Sequence, residues 1–226
     1  MSLKNLIKNR EKNKNLFTWN GIQVIIKDPI SNPDISLQSV LASIESKISR
    51  HLLRNVDIIY IGNFDFLNDK NIQAVYENSC IFVTNEQENQ QDMADDIIHE
   101  IAHSLEEMYS SHIYQDQKLE KEFLDKRKQL YLILKSEDYE VDLQDFLNPS
   151  YEERFDSFLY KIVGYPALNM LSANIFYSPY AATSIREYFA NGFEAYFYYN
   201  SYNFIKNNCP ILCQKLEFFE EEQDEL

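Results

Sequence analysis

The residues best placed to do chemistry lie in Asp95-Asp96-Ile97-Ile98-His99-Glu100-Ile101-Ala102-His103-Ser104-Leu105. This stretch contains the pattern His-Glu-x-x-His. On a helix, His99 and His103 fall one turn apart on one face, so both imidazoles can reach a single metal ion. Glu100 then sits beside the metal without binding it, where a carboxylate can take the proton from a zinc-bound water. The chemistry implied is metal-assisted hydrolysis.

A helix is what must position these groups, and the stretch supports one. Met93, Ile97, Ile101, Leu105 and Met108 recur at spacings of three and four, and no Pro or Gly interrupts residues 92–108. That places an apolar stripe next to the histidine face. A catalytic zinc needs a third protein ligand and one open position. A third histidine six residues after His103, with a glycine three after it, would mark the metzincins, but those positions hold Tyr109 and Glu106. The alternative is a glutamate from a second helix, and the best candidate lies in Ser184-Ile-Arg-Glu187-Tyr-Phe-Ala-Asn191-Gly-Phe-Glu194. Phe189, Phe193 and Phe197 form its apolar stripe, while Glu187 and Asn191 share another face. Asn191 could accept a hydrogen bond from a ligand imidazole and fix its tautomer. Glu194 is the weaker rival to Glu187 as ligand. His51 reads as a surface or capping residue, and His112, nine residues after His103, stands at an unfamiliar spacing for a ligand.

His99-Glu-x-x-His103, Tyr180 seven residues before Glu187, and Glu187-Tyr-Phe-Ala-x-x-Phe together resemble the catalytic domain of anthrax lethal factor and the related Pro-Pro endopeptidases. The resemblance covers about residues 85–110 and 177–200. It implies a zincin-like fold, with His99, His103 and Glu187 holding one Zn2+ and the Tyr180 hydroxyl assisting at the substrate carbonyl. A phenol in the loop at 172–182 could stabilise an oxyanion. The separation of 84 positions from His103 to Glu187 is more than such relatives need, which points to an inserted helical segment at about 110–170. Asn191 stands where a glutamate is common. Proline-directed cleavage follows by family analogy alone, as does a toxin-like or secreted role. In proteases of this build, the strand near the metal can take an extended substrate by main-chain pairing. Here that strand would be Ser79-Cys-Ile-Phe-Val-Thr84, which reads equally well as an internal, fully paired strand.

Composition frames these readings. The chain has 226 residues, 45% hydrophobic, with 4 Gly and 6 Pro. This suits a single zincin-like domain, 1–226, with a sizeable core. A net charge of -15 argues against nucleic acid or an anionic membrane surface as partner. Three cysteines form no disulfide framework, and Cys209-Pro-Ile-Leu-Cys213 lacks a second pair, so reduced thiols are expected. No signal-peptide or membrane-spanning run is apparent, which predicts a cytoplasmic protein as synthesised, with delivery by another route open. Lys4, Lys8, Arg10, Lys12 and Lys14 make a basic, solvated start.

The remaining elements are read from periodicity. Leu16–Lys27 reads as a strand, and residues 34–52 as a helix capped by Asp34 or Ser36, with Leu37, Val40, Leu41, Ile44, Ile48 and Leu52 inward. Strands are expected at 55–61, 71–76 and 79–84, with a loop at 62–70. Helices are expected at 115–135 and 151–171, and the acidic residues 217–226 form a solvated end. The sum is an α+β fold with a small mixed sheet and a largely helical C-terminal half. The expected function is that of a zinc endopeptidase acting on a protein or peptide. The alternative is a catalytically inactive zinc-binding interaction protein of the same fold.

Overall fold

Asn20 and Gly21 adopt positive φ of 51° and 93° in the computed structural model, and they split the expected first strand into a hairpin. Asn-Gly is the preferred pair for a two-residue turn that matches strand twist. The structure describes residues 16–221; the expectations for the basic start at 4–14 and for 222–226 of the acidic end lie outside them. The chain divides into two units, Met1–Leu105 and Glu106–Leu226.

In the first unit, β1 (Leu16–Trp19) pairs antiparallel with β2 (Ile22–Ile26). Strand β2 runs parallel to β3 (Ile58–Gly62), and β3 parallel to β5 (Cys80–Thr84). Strand β4 (Ala74–Glu77) closes the order β1-β2-β3-β5-β4, antiparallel to β5. The five strands form a mixed sheet. Strand β5, expected to lead towards the histidine helix, is therefore internal, and β4 is the edge.

Side chains alternate as the pleat requires. Ile59, Ile61, Ile81 and Val83 are fully buried. On the other face Tyr60 and Phe82 stack at 5.0 Å, with Phe64 and Phe66 edge-on to Phe82. Helix α1 (Leu37–Glu45) starts at Ser36, whose side chain accepts from Ser39 N, and buries Leu37, Val40, Leu41 and Ile44. It is shorter than its apolar period. Ile48 and Leu52 are also buried, but Leu52 belongs to a separate 3-10 turn, Arg50–Leu53. The expected loop at 62–70 contains a short helix, α2 (Asp65–Lys70), which stops at Asn71 in the left-handed conformation.

Helix α3 (Gln90–Met108) carries the His-Glu-x-x-His motif. Asn89 Oδ1 accepts from Gln91 N and Asp92 N at its start. Met93, Ile97, Ile98, Ile101 and Leu105 are buried, whereas Met108 is exposed despite lying on the same stripe. Each fully buried large aliphatic contributes about 1.5–3 kcal/mol before entropy is counted. That packing sets which face is left for the histidines.

The second unit is helical. It comprises α4 (Ser110–Tyr114), α5 (Lys118–Ser136), α6 (Leu143–Phe146), α7 (Glu153–Ser157) and α8 (Tyr165–Leu171), then α9 (Ile185–Phe193), α10 (Tyr202–Asn208) and α11 (Pro210–Glu221). The expected helix at 151–171 is broken by a π turn at Phe158–Val163 and by Gly164 at φ 80°. Helix α5, within the expected insertion, lies in the core of this unit. Leu119, Phe123, Leu130 and Leu134 are fully buried, and the Phe123 ring meets Phe176 and Tyr188. The acidic end is helical as far as Glu221, because Leu216 and Phe219 are fully buried. Gly192 admits the close approach of α11: a Cβ there would lie 2.3 Å from Leu212 Cδ2. Among the described residues no helix is long and apolar enough to cross a membrane. Cys80, Cys209 and Cys213 are free thiols.

Candidate metal centre

Helical geometry alone brings His99 and His103 together. Their ring centroids lie 4.8 Å apart with planes at 82°. Glu100 and His103 are 7% and 8% exposed, so the charge on this helix face is largely withdrawn from water. The Glu100 carboxylate is held by a main-chain donor: Tyr76 N–H, on β4, donates to Oε2 at 2.6 Å. Asn55 Nδ2 donates to Tyr76 Oη at 2.8 Å and to Ser104 O at 2.9 Å. One turn before Glu100, Asp96 accepts from Gln87 Nε2 at 2.8 Å. Burial pushes the Asp96 carboxyl up to about 6, a rise that Gln87 and His99 oppose and that Glu100 and Asp95 reinforce.

Glu187 is set by the start of α9. Ser184 caps this helix, its Oγ accepting from Glu187 N at 3.2 Å. Just upstream, Tyr180–Ala182 forms a 3-10 turn, and Thr183 closes it by donating from both N and Oγ1 to Tyr180 O, at 3.0 and 2.8 Å. Burial raises the Tyr180 phenol far above the ordinary range, and the negative charges of Glu187 and Asp156 raise it further. Tyr180 is thus a protonated donor close to Glu187. Asn191 plays a different part from the one expected. Its amide oxygen accepts from Ser178 Oγ, and its Nδ2 donates to Glu187 O at 3.0 Å, so it ties the tyrosine turn to α9.

Two further side chains fix this region without any sequence signal. Arg127, on α5 and 1% exposed, donates to Asn148 O at 2.9 Å, to Thr183 O at 3.4 Å and to Asp145 O, with its guanidinium 3.9 Å from the Phe155 ring. Burial lowers it to about 10, so it remains a cation at neutral pH. Arg186, next to Glu187, pairs with Glu106. Neither belongs to a recognisable motif, because their acceptors are main-chain carbonyls or a residue 80 positions away.

Among the described residues, one group of three His, Cys, Asp or Glu side chains offers ligand atoms close enough to share an ion: His99, His103 and Glu187, all within 4.8 Å of one another. Zinc bonds of about 2.0–2.2 Å require tetrahedral ligand atoms roughly 3.4 Å apart. Two imidazoles and one carboxylate also suit zinc chemically. Glu194 and His51 lie outside this group, and His112 stacks on Phe218 at 3.7 Å. No family model, curated protein or solved structure matches this chain.

Proposed function

We propose that this chain is a zinc-dependent endopeptidase with a zincin-like fold. The observation that supports it is the meeting of His99, His103 and Glu187, the last contributed by a residue 84 positions from the motif. Bound there, zinc would act as a Lewis acid towards a water and the scissile carbonyl. His99 and His103 would bind through neutral ring nitrogens and Glu187 through one carboxylate oxygen, which leaves a fourth position for substrate chemistry. The Glu100 carboxylate would take a proton from the attacking water and deliver it to the leaving amine. Tyr180, kept protonated by burial, would donate its phenolic hydrogen to the oxyanion of the tetrahedral intermediate. The substrate class is a protein or peptide, and the resemblance to the lethal factor and Pro-Pro endopeptidase group is consistent with this ligand set.

Metal content by elemental analysis, on wild type and Glu187→Ala side by side, tests the centre. About one zinc per chain is expected in the wild type, with weakened retention in the variant. A peptide library then tests turnover: Glu100→Gln should keep zinc and lose cleavage, whereas His99→Ala should lose both. A wild type that takes up no zinc when it is offered, or that cleaves as well after His99→Ala, overturns the proposal.

A further inference from the structure

Among the described residues strand β4 is the sheet edge, its ladder formed with β5. The two-residue turn Asn78–Ser79, with φ 51° and 59°, makes Glu77 and Cys80 a hydrogen-bonded pair. At the far end Thr84 N donates to Gln73 O at 2.8 Å. Pairs alternate in an antiparallel ladder, so Val75 opposite Phe82 is bonded, while Ala74 and Tyr76 turn their N–H and C=O away from β5. The outward N–H of Tyr76 is the one that meets Glu100 Oε2 at 2.6 Å. A bond this short from amide to carboxylate belongs to the charge-assisted class.

The side chain of the same residue holds the strand in register with α3. Its hydroxyl takes one hydrogen of Asn55 Nδ2, and the other goes to Ser104 O, one residue beyond His103. Sliding β4 along the helix would break the bonds at Glu100 and at Asn55 together. A main-chain donor also cannot swing away as a side chain can, so it restrains a glutamate that would otherwise sample several rotamers.

We infer that Tyr76 is a positioning residue for the reaction proposed above: its main-chain amide, presented by the edge strand, holds the Glu100 carboxylate for proton transfer. The inference rests on that reading of the site. Its content is specific, because the group that matters is the N–H and not the phenol.

Two measurements test it. Tyr76→Pro removes the N–H at an edge position where it is not part of the ladder, and Tyr76→Ala removes the side chain but keeps the N–H. With zinc content and KM retained, kcat should fall at least about tenfold more in the proline variant than in the alanine variant, the scale of a misplaced catalytic group. Equal kcat in the two overturns the inference. The second readout needs no turnover. In 15N-labelled protein the Tyr76 amide resonance should move upfield and exchange faster with solvent in Glu100→Ala, and an unmoved resonance overturns the inference even if the proline variant fails to fold. A zinc-loaded wild type that cleaves no peptide sinks the protease reading instead, and this role with it, whatever the resonance does.

Discussion

Arg186 Nε donates to both carboxylate oxygens of Glu106 at 3.0 Å, and Tyr114 Oη donates to Glu106 Oε1 at 2.7 Å. Glu106 lies three residues after His103, and Arg186 immediately precedes Glu187. The two side chains are unequal partners, 6% exposed for Glu106 and 61% for Arg186. Burial, the largest single influence, lowers the Arg186 guanidinium, but the charge and hydrogen bond of Glu106 together with Glu187 and Tyr114 outweigh it, and the net shift is upward.

Removing the arginine should therefore cost more through the glutamate left behind than through the lost surface attraction. Arg186→Met is expected to destabilise by about 1–3 kcal/mol, and Arg186→Lys to recover part of this, since an ammonium cannot match the planar donor geometry. Urea denaturation gives the first number, and competition with a zinc chelator should show weaker zinc retention in Arg186→Met. Midpoints and zinc affinities equal to wild type would reduce the pair to a surface contact.

Tyr180→Phe should leave zinc content unchanged and lower kcat by roughly a hundredfold, the scale of one oxyanion donor. The phenol is protonated throughout the neutral range, so the loss should be the same at pH 6 and pH 8. Steady-state kinetics at both values check it. A rate within twofold of wild type would remove Tyr180 from the chemistry.

Arg127 holds three carbonyls, those of Asp145 in α6, Asn148 and Thr183, with one planar cation, and among the described residues its Nε has no acceptor. Arg127→Met keeps most of the volume but strands those carbonyls. It should cost about 3–5 kcal/mol, which for a chain of this size lowers Tm by roughly 6 °C or more. Calorimetry would decide, and a Tm within about 2 °C of wild type would show that the loops hold themselves.

Asp96 predicts a pH dependence in the metal-free protein. Its folded value is raised from 3.8 to about 6, so its favourable contribution is complete below the unfolded value and is lost as pH rises through about 6. Asn cannot ionise and keeps an oxygen for Gln87. The stability advantage of Asp96→Asn over wild type should grow by roughly 2 kcal/mol between pH 4 and pH 7. Parallel urea titrations at the two pH values, with chelator present, measure it directly; a constant difference would count against the burial of this carboxyl.

What the sequence determined by itself was local. The spacing of His99, Glu100 and His103 needs only the 3.6-residue helical period, and the apolar stripe from Met93 to Leu105 states which face is buried. Ser36 as a cap and most of the strand and helix positions follow from chemistry within a few residues. Asn20-Gly21 carried a turn signal too, although a continuous apolar run on either side masked it.

Tertiary structure decided everything that joins distant residues. It made β4 the edge and β5 internal, a matter of strand order on which alternation is silent. It placed α5 in a core and not on the outside, and kept the helix at 210–221 intact by burying Leu216 and Phe219 against its acidic composition. It also assigned Tyr76 N–H to Glu100, Arg127 to three carbonyls and Arg186 to Glu106. Main-chain donors and acceptors are the same at every position, so no residue type announces them, and which ones meet a side chain is settled only when the chain packs.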